Sequence, residues 1–380
     1  MADGSAIREY IVQTAREHGV DRTVRYGHRV TRIEWSSDES RWTVEVKHQS
    51  GEIIEMTCGF LHMCSGYYRY DGGFCPRFVG MERFDGQILH PQDWPENLDY
   101  AGKRVVVIGS GATAMTLVPS LAEGAGHVTM LQRSPTYVMS LPRKDALAEN
   151  LPRWLSPKRA YAVVRWKNVL LTTLVYQLSR RRPEWVKRLL RKGVEAQLPD
   201  GYDVDTHFAP RYQPWDQRLT IVPNGDLFRA ISDGRASVVT DRIETFTEGG
   251  LKLASGAELE ADIIITATGL NFLVLGGVSI AVDGREVDPA ETVAYKGMMF
   301  SGVPNLALAL GYTNASWTLK CDLISEYVCR LLTHMDEHGY RQCTPIAPDP
   351  SQPLSPVVDL KSGYVLRALD SLPKQGARPP

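Results

Sequence analysis

Val105-Val-Val-Ile-Gly-Ser-Gly-Ala-Thr-Ala114 is the stretch that most restricts how this chain can fold. Lys103–Ile108 reads as a buried strand, Ala112–Glu123 as a helix and His127–Gln132 as a second strand. Strand, Gly-rich turn, helix and returning strand together make a βαβ unit, and that unit commits its surroundings to a parallel sheet. Gly109 permits the tight turn, Gly111 lets backbone approach a pyrophosphate, and Ala114 is small enough for helix–strand packing. The helix start then offers free N–H groups and a partial positive charge to phosphates. Gly109, Ser110, Gly111, Ala112, Thr113, Ala114 and Met115 are therefore the expected dinucleotide cradle. The competing reading is a tight βα turn with no ligand.

The end of the second strand selects the nucleotide. A non-phosphorylated ribose calls for Asp or Glu there, to accept from the 2′-hydroxyl. This chain has Leu131-Gln-Arg-Ser134, with no carboxylate. Arg133 can pair with a 2′-phosphate and Ser134 can donate to it, which favours NADPH over NADH.

Other segments fill in the class. Residues 4–19 carry Ile7, Tyr10, Ile11 and Ala15 at helical spacing, with Gly19 as the expected stop. Arg41–Lys47 alternates as a strand and turns through Gln49-Ser-Gly51 into Ile53–Cys58. Phe60–Ser65 and Pro304–Gly311 read as strands, Asp262–Gly269 as a buried strand with a glycine exit, and Thr313–Met335 as a long helix. After about residue 344 the Pro, Asp and Ser content predicts a loosely packed tail. Net charge is −1 over 380 residues, so no global field argues for nucleic acid. None of the six cysteines forms a C-x-x-C, which argues against a zinc ribbon or a redox dithiol, and a cytoplasmic setting with free thiols fits best. No signal peptide and no apolar run of about 20 residues is present.

Just before the Gly-rich turn, residues 84–95 read Phe-Asp-Gly-Gln-Ile-Leu-His-Pro-Gln-Asp-Trp-Pro. Singly, His90 and Trp94 could be ordinary structural residues. The whole string has the form F-x-G-x-x-x-H-x-x-x-W-P, which resembles the fingerprint of Baeyer–Villiger and flavin-containing monooxygenases. Cys64-Ser-Gly-Tyr-Tyr68, Leu131–Tyr137, Pro214-Trp-Asp-Gln-Arg218, Ala267-Thr-Gly269 and Gly311–Lys320 match the same family over nearly the whole chain. They are most similar to its actinobacterial branch, which activates thioamide prodrugs such as ethionamide.

The resemblance implies an α/β protein with two Rossmann-like dinucleotide-binding domains and a helical insertion. Residues 1–98 with 300–380 would form an FAD domain, and 99–299 an NADPH domain carrying the insertion at 145–198. It implies an FAD- and NADPH-dependent monooxygenase that uses O2, through a peroxyflavin, on hydrophobic ketones or sulfur centres such as thioamides. His90 would couple the domains, and Arg218 would steady the anionic peroxide as a permanent cation. A structural ion pair of Arg218 with Asp216 is the competing reading.

One departure stands out. The family uses a second Gly-rich turn for FAD, and none precedes Val105 or follows it. By that resemblance the chain is expected to start at the helix that follows the family's first FAD segment and to stop where the family's sequences continue. The expectation is an incomplete FAD domain with exposed strand edges and weak or absent FAD binding. The alternative function is accordingly a truncated, non-catalytic NADPH-binding remnant. Lastly, residues 158–192 are basic around the apolar run Val169–Leu178. A helical subdomain with a solvated basic face is the ordinary reading, and peripheral membrane contact is the other.

Overall fold

The computed structural model describes residues 3–217, 219–312, 316–358 and 360–376. The chain divides into two compact units, one of residues 70–271 and one built from the segments on either side of it.

The flanking unit begins with helix α1 (Gly4–Glu17) and strands β1 (His28–Ser36), β2 (Arg41–His48), β3 (Ile53–Cys58) and β4 (Leu61–Met63). The α1 helix buries none of its residues, so the apolar stripe of Ile7, Tyr10 and Ile11 faces solvent. Strands β1, β2 and β3 form an antiparallel meander in which Trp35 and Trp42 face each other and pack edge to face.

The central unit carries β5 (Gln87–Leu89), β6 (Arg104–Ile108), α2 (Ala112–Leu121) and β7 (His127–Gln132). Next come β8 (Val138–Leu141), α3 (Ala146–Asn150), α4 (Pro157–Arg181), α5 (Pro183–Glu195), α6 (Val204–Phe208), β9 (Thr220–Pro223), α7 (Asp226–Ser232) and β10 (Ala236–Thr240). It closes with β11 (Ile243–Thr247), β12 (Gly250–Leu253), β13 (Glu258–Glu260) and β14 (Ile263–Thr266). Its main sheet runs β10-β7-β6-β14-β5, all parallel. Both faces are covered, which is why these strands read as unbroken apolar runs. Val105, Val107, Ile263 and Ile265 pack with Met115 and Val118 of α2 and Phe228 of α7. Val106, Ile108 and Ile264 face the other way, with Phe246, Leu251 and Leu253 of the antiparallel β11-β12-β13 sheet.

The chain then returns to the flanking unit. There β15 (Ser279–Val282) joins β1 in parallel and β16 (Arg285–Glu286) extends that sheet. A β17 (Ala294–Tyr295)–β18 (Met299–Phe300) ribbon follows, then β19 (Leu306–Leu308) and α8 (Trp317–His338). Among the described residues β19 and β4 pair only with each other. Asn305, at the entry to β19, is buried and fully used: its Nδ2 donates to the Gly59 and Arg341 carbonyls and its Oδ1 accepts from Cys343 N.

The tail departs from the expectation of loose packing. Strand β20 (Leu354–Pro356), helix α9 (Gly363–Leu366) and strand β21 (Lys374–Gly376) form, and Leu360, Val365 and Leu372 are buried. Its apolar residues are too widely spaced to give a periodic signal, and only some of them are buried, Ile346, Leu354 and Leu366 staying exposed.

Candidate functional site

The site is built where β6 runs into α2. Gly109 sits at φ +137°, and a Cβ there would lie 2.4 Å from the Ala267 carbonyl oxygen, so only glycine fits. Its N–H donates to Leu131 O at 2.8 Å, tying the turn to β7. Gly111 is different. Its backbone is extended and a Cβ would meet nothing within 4 Å. The open space in front of Gly111 is where a ligand's phosphates could come against backbone. No side chain caps α2 and no acid lies in its first turn, so the N–H groups of Ala112, Thr113 and Ala114 point to that space. Ala114 and Met115 are buried behind it, as the small third position requires.

At the far lip, Ser110 Oγ donates to Ser134 O at 3.1 Å, which joins the turn to the end of β7. Arg133 and Ser134 are exposed, and Arg133 has no ion-pair partner among the described residues. Just before them, as the last residue of β7, lies Gln132, which sequence reading passed over. It is buried, and its Nε2 donates to His207 O at 2.8 Å and Thr240 Oγ1 at 2.9 Å. Thr240 Oγ1 also bonds His207 Nδ1 at 2.9 Å, and burial pushes the His207 pKa down. A buried amide thus takes the strand end that would otherwise carry an acid, and it fixes the backbone from which Arg133 projects.

His90 belongs to a second knot in the same unit. Its Nδ1 accepts from Gln92 N and its Nε2 donates to the Gly269 carbonyl, both at 3.2 Å. Gly269, at φ +113°, also accepts from Phe74 N at 2.9 Å, and Thr268 Oγ1 donates to Phe74 O at 2.6 Å. The ring covers Gly73 so closely that a Cβ there would fall 1.8 Å from it. Asn271 Nδ2 donates to Gly73 O at 3.1 Å. The knot binds turn 72–74 and the 90–93 loop to the exit of β14. Elsewhere in the 84–95 string, Phe84 is buried against Phe246, and Gly86 lets that ring and the Asp262 carbonyl come close.

Arg218 lies outside the described residues, as do Thr313 and Asn314 of the C-terminal turn. Around Arg218, Trp215 takes a left-handed φ of 73° and its Nε1 donates to the buried Ser179 Oγ on α4 at 3.2 Å. Asp216 pairs with Arg180 at 3.4 Å. In the flanking unit, the turn after β4 places Tyr67 in a stack with Phe272 and Trp317, each 4.8 Å between ring centroids. That unit holds no second Gly-rich strand–turn–helix among its described residues, and no cluster of three or more metal-ligating side chains occurs among them in either unit.

The family model for flavin-binding monooxygenase-like proteins matches residues 1–274. The chain is 55% identical to the FAD-containing monooxygenase EthA of Mycobacterium tuberculosis, covering 100% of this chain and 78% of that protein. It is 50% identical to the putative FAD-containing monooxygenase MymA of the same organism, again over 100% and 78%. Among solved structures, OTEMO in complex with FAD and NADP superposes with a TM-score of 0.72 at 20% identity, covering 90% of this chain and 72% of that one. At that identity the likeness is one of fold.

Proposed function

We propose, from the premise that the chain belongs to the flavin-binding monooxygenase-like family, that it is an FAD- and NADPH-dependent monooxygenase of the Baeyer–Villiger type. Its substrate is a small hydrophobic ketone or a sulfur centre such as a thioamide, and O2 supplies the oxygen. The observation that carries the nicotinamide half is the pairing of an open, uncapped α2 start at Gly111 with Arg133 and Ser134, and no acid, at the end of β7.

The residues present fit NADPH. Gly109 to Met115 would hold the pyrophosphate on backbone N–H groups, and Arg133 with Ser134 the 2′-phosphate. The requirement for FAD comes from the relatives, EthA and MymA being named as FAD-containing. The described residues provide no second pyrophosphate turn for it. His90, held at both ring nitrogens, serves as a positioning residue between the 72–74 turn and the β14 exit. Arg218 is the cation proposed to face the developing oxyanion, on residue type and flanking motif alone. The non-catalytic remnant is not favoured, because identity to EthA runs over the whole chain. A greasy substrate is most readily met at a lipid surface, and peripheral membrane contact is part of the reading. No helix among the described residues is long and apolar enough to cross a membrane.

Arg133→Ala tests the assignment. The Michaelis constant for NADPH should rise about tenfold or more, as loss of a charge-assisted pair worth roughly 1.5–3 kcal/mol implies, with NADH little changed. Equal rises for both nucleotides would remove Arg133 from the site.

A further inference from the structure

The helical insertion of the central unit leaves an apolar stripe without a partner. Helix α4 runs for 25 residues and buries only Ala160 and Ser179. Val163, Trp166, Leu170 and Leu174 recur at i, i+3, i+7 and i+11, so they line one face, and all four are exposed, Trp166 and Leu170 at 64%. Just before the helix Trp154 is 85% exposed. Large apolar side chains placed in a row on a surface mark a place where something else sits.

Charge identifies the occupant. Residues 153–192 hold twelve Lys and Arg against one acid, Glu184, while the whole chain has a net charge of −1. Positive charge is therefore concentrated on the helical insertion, six of the twelve cations lying on α4 itself. Some of it is used internally: Lys167 pairs with Asp145, Arg180 with Asp216 and Arg191 with Asp205. Arg159 and Arg181, at the two ends of the apolar stripe, are exposed and have no ion-pair partner among the described residues. A second copy of the chain would bring like charges together on this face. An anionic lipid surface would neutralise them and take the stripe between its headgroups, with the tryptophans at the depth they prefer. The helix is too charged to cross a bilayer and would lie along it.

From this we infer that α4 is a membrane-docking helix that lies flat on anionic phospholipid through Val163, Trp166, Leu170 and Leu174. The inference rests on the membrane contact proposed above and names its surface and lipid. It is independent of turnover.

The test is co-sedimentation of the purified full chain with vesicles of phosphatidylglycerol mixed in equal parts with phosphatidylcholine, against phosphatidylcholine alone. Binding to the anionic vesicles should exceed that to the neutral ones by about tenfold or more and weaken as salt is raised. The double substitution Trp166→Ser with Leu170→Ser should reduce it about tenfold. Circular dichroism and NADPH affinity should stay unchanged in that variant. Equal binding to both vesicle types, or undiminished binding by the double variant, would overturn this surface while leaving membrane contact itself standing. No vesicle binding at low salt would overturn both. Lipid-free self-association that the double variant abolishes would assign the face to a copy of the chain and sink the proposal.

Discussion

The His90 ring occupies the space that any side chain at residue 73 would need. Gly73→Ala should push the ring off the Gly269 carbonyl and reproduce the phenotype of His90→Ala. Both variants should lose about tenfold or more in turnover while stability drops only by the roughly 1 kcal/mol of a hydrogen bond. Normal turnover in either, with the fold intact, would remove the positioning role. A different residue tests the sheet beneath. Asp262 accepts from the Arg104 backbone N–H at 2.8 Å and its guanidinium at 2.7 Å, which holds its pKa down at about 2. A carboxylate depressed in the folded state stabilises above its unfolded pKa of about 3.9 and loses that effect as pH falls through about 2. The pair is half exposed, so Asp262→Asn should cost only about 1 kcal/mol at pH 7. The gap to wild type should close as pH falls from about 4 towards 2 in urea titrations. A gap that widens on acidification would contradict the assignment. At this scale Arg133 and the glycines were legible because only a few residue types satisfy their geometry. Gln132, Thr240 and His207 were not, since a buried amide bonded across 75 and 108 residues of sequence leaves no local pattern.

Among the elements, the β6–α2–β7 unit was readable almost to the residue, because buried parallel strands are unbroken apolar runs and the turn between them admits little but glycine. The two glycines of that turn do different work, and substitution separates them. Gly109→Ala has no room beside the Ala267 carbonyl and an unfavourable φ, and should destabilise by about 2 kcal/mol or more in chemical denaturation. Gly111→Ala meets open space and should leave stability within about 0.5 kcal/mol. It should still weaken NADPH, whose phosphates need that space. Equal effects of the two on stability would contradict the reading of the turn. The C-terminal strands and α9 were missed for the opposite reason. They are short, separated by Pro and Ser, and held by single buried side chains such as Val365 rather than by a repeating face.

For the molecule as a whole, the α/β class and the parallel sheet followed from one motif, and the family from a handful of strings spread along the chain. What no periodicity revealed is how unevenly burial is distributed. The central unit covers both faces of its sheet, whereas in the flanking unit α1 exposes its apolar stripe and β4 and β19 stand as a lone pair among the described residues. The claim that ties both units to one chemistry is that the chain spends NADPH and O2 on oxygenating a substrate. The direct test supplies the purified chain with FAD, NADPH, isotopically labelled O2 and a thioamide, and follows the product by mass spectrometry. One labelled oxygen on sulfur for each NADPH consumed is the predicted result. NADPH left unoxidised, or oxidised with all of the label recovered as hydrogen peroxide and none in product, would contradict it.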